Sequence, residues 1–258
     1  AVVIGGGLLG IETAYGLSRA GVPVTLIHLM DRLMERQLDA EGGRLLAGAL
    51  QARGISVRLK ASTDRIEDDG TGSVSGITLK DGRSIPAAAV IMAVGVRANT
   101  QLATGAGLTV ERGIVVADDL STSCPGMYAI GECAQHDGSV YGLVEPGYDQ
   151  ARILAQHLTG DDGGAYTGNV LSTNLKVSGV PVFSAGDFSD EAAQSIITRD
   201  PAHNAYRRFF IKDDRLVGTV LVGDTGDALW YRDLIADQTD ISDMRDNLAF
   251  GRTFAQAA

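Results

Sequence analysis

The run Gly5-Gly6-Gly7-Leu8-Leu9-Gly10 constrains this chain more than any other segment. It follows Val2, Val3 and Ile4, which have the branched apolar character of a short buried strand. It opens a stretch, 8–20, with apolar residues at helical spacing that closes at Gly21. Gly5, Gly7 and Gly10 fit G-x-G-x-x-G, and each has its own task at a strand–turn–helix junction. The first allows the tight turn, the second lets a diphosphate approach the backbone, and the third lets helix and strand pack closely. The helix start adds unpaired N–H groups that suit an anion. The pattern alone is weak, but an apolar strand follows at 24–29, and the whole βαβ context is the one a dinucleotide site needs.

In such sites an acidic residue about 20 positions on holds the ribose hydroxyls. Here the second strand ends at His28, with Asp31 and Arg32 beyond it. His28 stands where Asp or Glu would signal NADH, and Arg32 is placed to face a 2′-phosphate, so both NADH and NADPH stay open. The lack of an arginine at the strand end leans toward NADH, and His28 with Arg32 is expected to set the preference.

Further along, 39–53 reads as a second helix closed by Gly54 and 57–60 as a third strand, an order that gives a parallel sheet with right-handed crossovers. Segments 63–67, 74–79 and 84–86 are separated by Asp69-Gly70-Thr71-Gly72 and Asp81-Gly82, which predict an antiparallel meander. An apolar strand at 90–94 ends at Gly95. Strands are then expected at 114–116 and 127–130, a helix at 149–158, and a linker at 160–164. Strands at 171–177, 207–211 and 216–222 follow, the last two as a hairpin over Asp213-Asp214, and helices at 228–235 and 241–248 close the chain. The fold class is α/β.

The glycine loop continues as Gly10-Ile11-Glu12, which resembles the G-x-E extension of the flavin-dependent pyridine nucleotide–disulfide reductases. Ala93-Val94-Gly95-Val96-Arg97-Ala98-Asn99 looks like that family's V-G-x-x-P-N connection, with Ala98 in place of proline. Thr122-Ser123-Cys124-Pro125-Gly126-Met127-Tyr128-Ala129-Ile130-Gly131-Glu132 resembles its T-S-x-P-x-I-Y-A-x-G-D flavin motif. Within the family, Leu33-Met34-Glu35-Arg36-Gln37-Leu38-Asp39, Gly131-Glu132-Cys133-Ala134, Thr173-Asn174-Leu175-Lys176-Val177-Ser178-Gly179-Val180 and Phe183-Ser184-Ala185-Gly186-Asp187 are similar to the large subunit of assimilatory nitrite reductases.

The resemblance implies a Rossmann-like NAD(P)-binding domain with its meander at 1–95, the C-terminal half of a discontinuous FAD-binding domain at 96–162, and a small α+β domain at 163–258. It implies NAD(P)H and FAD as cofactors and hydride transfer between them, chemistry that needs no protein nucleophile. Gly5, Gly6, Gly7, Leu8, Leu9 and Gly10 would hold the dinucleotide with His28 and Arg32. Glu12 would lie near the nicotinamide end, Gly95 would leave room for its ring, Gly131 and Glu132 would meet the flavin ribityl chain, and a helix starting near Gly147 would face the isoalloxazine. The electrons would pass to iron–sulfur and siroheme domains further along such a subunit, or to a small carrier such as a rubredoxin or ferredoxin. A free-standing flavin reductase and a non-catalytic nucleotide-binding domain are the alternatives. The family's first FAD loop has no counterpart here, so the expectation is a piece of a longer chain that retains no FAD, turns over little alone and exposes Met127, Ala129 and Ile153, which would favour self-association.

The composition excludes other classes. With 22 basic and 32 acidic residues, net −10, the chain lacks the basic balance of a nucleic-acid binder. No stretch reaches the 18 apolar residues of a membrane span, and no signal peptide is recognisable. Cys124 and Cys133 alone cannot ligate a four-cysteine cluster, and their spacing is not that of a redox pair. A cytoplasmic location follows as the expectation. His136, His157 and His203 read as surface histidines, Trp230 as a core or interface residue, and 187–191 as a solvated acidic loop rather than a metal site.

Overall fold

A computed structural model describes residues 1–161, 164–175, 179–188 and 192–256. Lys176, Val177 and Ser178 of the resemblance, most of the acidic loop and the middle of the 160–164 linker lie outside the described residues. The chain forms two compact units, Ala1–Gly95 with Val170–Ala258, and Val96–Asn169.

The first unit begins with β1 (Val2–Ile4), α1 (Leu8–Arg19), β2 (Thr25–Ile27), α2 (Ala40–Ala52) and β3 (Ser56–Arg58). An antiparallel meander, β4 (Thr63–Asp68), β5 (Val74–Leu79) and β6 (Ser84–Pro86), comes next, then β7 (Val90–Met92). Strands β3-β2-β1-β7 make one parallel sheet in that order, and β4-β5-β6 a separate antiparallel one. Side chains alternate across a strand, and the two faces of the parallel sheet meet different cores. Val2 and Ile27 pack with Ile77 and Leu79 of the meander, whereas Val3 and Leu26 pack with Ile11 and Ala14 of α1 and Leu46 and Leu50 of α2.

The second unit contains α3 (Gln101–Gly105), β8 (Ile114–Val116), β9 (Ala134–His136), β10 (Ser139–Val140) and α4 (Val144–Thr159). The strand expected at 127–130 does not form. Its backbone bonds locally instead, Met127 N–H to Cys124 O at 3.1 Å and Ala129 N–H to Leu120 O at 3.2 Å, and the partner of β8 is β9. Helix α4 starts five residues earlier than the spacing suggests, because Pro146 and Gly147 fall in a first turn, where proline loses no hydrogen bond. Met127 is 44% exposed, but Ala129 and Ile153 are buried, contrary to expectation, against Tyr141, Tyr166 and Ala134 of the unit's own core. His136, expected at the surface, is also buried, with Nε2 2.9 Å from Asp118 and the ring edge-on to Tyr166.

The chain returns to the first unit as β11 (Ser172–Leu175), β12 (Val182–Gly186), β13 (Gln194–Asp200), β14 (Ala205–Lys212), β15 (Arg215–Val222), α5 (Ala228–Ala236) and α6 (Arg252–Ala255). The strands form an antiparallel sheet in the order β11-β12-β15-β14-β13. The β14–β15 hairpin turns through Asp213 and Asp214, at φ 49° and 51°, as a primed turn requires. Residues Ser242–Phe250 form 3-10 turns in place of the expected α-helix.

This sheet is buried on both faces. Val182, Tyr206, Phe210, Val220 and Val222 join the core of α1 and α2, while Phe183, Phe209 and Leu221 pack against Tyr231 and Leu234 of α5. At Gly42 an added Cβ would lie 3.2 Å from Val220 Cγ1, so α2 rides close on β15. Arg199 forks onto Glu41 with both contacts at 2.7 Å, which holds the Glu41 carboxyl below its usual range.

Candidate dinucleotide site

The glycine loop lies at the carboxyl ends of the parallel strands, where open α/β sheets take their ligands. Gly5 N–H donates to Ile27 O at 2.9 Å, and Ala93 N–H donates to Ile4 O at 2.8 Å, so the loop is tied to both neighbouring strands. Gly5 has φ +120°, and a Cβ there would stand 2.1 Å from Ala93 O. A Cβ on Gly10 would stand 1.8 Å from Gly5 O. These two positions admit no side chain. Gly7 differs, because the direction of its missing Cβ meets nothing within 4 Å. Gly7 is also the N-cap of α1 and supplies no side-chain cap, which leaves the first-turn N–H groups without a side-chain partner beside that open space. A diphosphate fits these features: close backbone approach, unpaired donors and a helix N-terminus. Leu8 and Leu9 continue the loop into α1, Leu9 with its side chain 63% exposed. Glu12 lies one turn into the helix, half-buried.

Gly6 is held from below. Its carbonyl accepts from Met34 N–H at 2.9 Å, and its N–H donates to His28 Nδ1 at 3.0 Å. The His28 ring is buried under the loop, within 2.7 Å of where a Gly6 Cβ would be, and its Nε2 bonds Glu35 Oε2 at 2.8 Å. Arg32 is likewise engaged, with Nε donating to Leu38 O at 3.3 Å and Nη1 pairing with Asp31 at 3.1 Å. The 28–39 segment therefore forms the floor of the loop. It ends at Asp39, whose carboxylate caps α2 through Gly42 N–H at 2.9 Å. The same carboxylate accepts from Tyr206 Oη at 2.6 Å and Arg208 Nη1 at 3.0 Å. Burial and the Asp39 carboxylate both push the Tyr206 hydroxyl pKa up, which keeps it a donor. Sequence reasoning missed Glu35 and Asp39 as parts of the site. Their signal was present as carboxylates of the Leu33–Asp39 stretch, which carried a resemblance but no assigned role.

Gly95, at φ +98°, is exposed, with open space where a side chain would go. Gly131 and Glu132 lie in the second unit, where Gly131 N–H donates to the buried Gln150 Oε1 at 2.6 Å. Glu132 is exposed in the following turn with no partner among the described residues, an acceptor free to meet a hydroxyl-bearing group. Among the described residues, no helix is long and apolar enough to cross a membrane.

A four-stranded parallel sheet carrying an open glycine loop is the architecture of dinucleotide-binding α/β proteins. The chain belongs to the pyridine nucleotide-disulphide oxidoreductase family, which matches residues 1–153. Residues 172–239 match the rubredoxin NAD+ reductase C-terminal domain. It is 47% identical to a nitrite reductase [NAD(P)H] of Bacillus subtilis over 94% of its own length and 30% of that protein's. It is 42% identical to the assimilatory nitrate reductase electron transfer subunit of the same organism, over 94% and 31%. The chain thus spans about three tenths of the length of these relatives. Among solved structures, a ferredoxin reductase of Rhodopseudomonas palustris superposes with a TM-score of 0.82 at 29% identity, over 92% of this chain and 60% of that one.

Proposed function

We propose that this chain is the NAD(P)H-oxidising part of a flavoprotein that feeds electrons into nitrite reduction. The observation that carries the reading is the open Gly7 position above the unpaired first-turn donors of α1. In this reading Gly5–Gly10 bind the diphosphate, Glu12 and Gly95 border the nicotinamide, and Glu132 accepts from the flavin ribityl chain. The bound cofactors supply the hydride transfer, and the protein supplies binding, orientation and exclusion of water. Domains at 1–95, 96–162 and 163–258 and a cytoplasmic location belong to the same reading. The acceptor is an iron–sulfur and siroheme centre. A small rubredoxin-type or ferredoxin-type carrier is the second reading, favoured by the match of 172–239 to a rubredoxin reductase domain.

The test is titration of the 258-residue chain with NADH, read by nicotinamide fluorescence, then dye reduction after FAD is added. Saturable binding lost in Gly7→Val supports the reading. Absence of binding by the wild-type chain overturns it.

A further inference from the structure

We propose that Glu35, presented by His28, holds the adenosine ribose hydroxyls of the dinucleotide and selects NADH over NADPH. The proposal rests on the nucleotide reading above and adds a residue to it. The adenosine half of a dinucleotide at such a loop passes over the end of the second parallel strand. Here His28 directly follows that strand, but the imidazole is spent. It is buried, its ring lies under Gly6, and its two nitrogens bond Gly6 N–H and Glu35 Oε2. Because Nδ1 accepts from an amide, the proton of the neutral ring lies on Nε2 and is donated to Glu35. The imidazole therefore acts as a rigid spacer between the loop backbone and a carboxylate. That carboxylate stands on the loop after β2 rather than on the strand itself.

Two features make Glu35 a usable ribose acceptor. Its side chain is 26% exposed, so it is fixed but reachable. Only Oε2 is engaged, and Oε1 bonds no described residue, so both lone pairs of that oxygen are open to hydroxyl donors. The same charge repels a 2′-phosphate. The cation best placed on the strand side, Arg32, is already tied to Leu38 O and to Asp31. The remaining cation of the segment, Arg36, is exposed and follows Glu35 directly, which makes it the control.

The experiment measures NADH and NADPH affinities of the 258-residue chain separately, with a thermal melt of each variant as the folding check. The wild type is expected to bind NADH at least about tenfold tighter than NADPH, the scale of one hydrogen bond to a charged group. Glu35→Gln should weaken NADH several-fold, tighten NADPH because the repulsion of its 2′-phosphate is gone, and bring the ratio near one. Glu35→Arg should invert it. His28→Asn keeps an acceptor for Gly6 N–H but loses the donor to Glu35, so the ratio should fall partway. Arg36→Ala should leave the ratio as it is. The proposal is overturned by an unchanged ratio in Glu35→Gln, by an equal loss of both nucleotides there, or by a wild type that prefers NADPH. A wild-type chain that binds neither nucleotide overturns the nucleotide reading itself.

Discussion

Replacing Asp39 by alanine tests whether the floor of the glycine loop is braced by the C-terminal sheet. The carboxylate is only 9% exposed and serves three donors: Gly42 N–H, Tyr206 Oη and Arg208 Nη1. Loss of an N-cap costs about 1 kcal/mol. Leaving the buried Tyr206 hydroxyl unpaired costs about 1–3 kcal/mol more, since that side chain is 1% exposed. The Arg208 pair adds less than about 1 kcal/mol, because the guanidinium is a third exposed and solvent screens it. The expected total is about 3 kcal/mol, or roughly 6–12 °C in Tm for a unit of this size. Tyr206→Phe alone should cost about 1 kcal/mol, since Asp39 keeps two partners. In the Tyr206→Phe background, Asp39→Ala should cost about 1–2 kcal/mol less, because no hydroxyl is then orphaned. Circular dichroism melts of the four proteins at neutral pH give the cycle. Strict additivity, or a drop of less than about 2 °C for Asp39→Ala, would refute the reasoning.

Three further outcomes are expected. Gly7→Val should preserve far-UV ellipticity and cost about 1 kcal/mol as a poorer N-cap, yet abolish NADH binding; a variant that still binds would place the diphosphate elsewhere. Gly10→Ala should destabilise by about 2–4 kcal/mol in denaturant melts, since a Cβ 1.8 Å from Gly5 O outweighs the roughly 1 kcal/mol gained in helix propensity. Arg199→Ala should lower Tm by about 1–3 °C at pH 7. Because the folded Glu41 carboxyl lies below its ordinary 4.5, that difference should persist above pH 4.5 and shrink as pH falls through the lower folded value; a difference that grows in acid would contradict the pairing.

The local rules of the chain were enough for much of the nucleotide half. Three branched residues, a glycine turn and an amphipathic helix define β1 and α1, because tight turns and helical spacing are properties of neighbouring residues. The same holds for the meander and for the hairpin at Asp213-Asp214. Tertiary structure decided what depends on distant partners. The segment at 127–130 has strand character but finds its hydrogen bonds in its own turn. Ala129, Ile153 and His136 are buried by Tyr141 and Tyr166, which no local pattern connects to them. Strands β12 and β13 were not expected from the sequence, since β12, buried on both faces, shows no alternation and β13 is a mostly exposed edge. At the site, the glycines were legible because their φ and packing demands are local. The His28–Glu35 bond and the Asp39–Tyr206 bond were not, because they span 7 and 167 residues and exist only once the fold has brought their partners together.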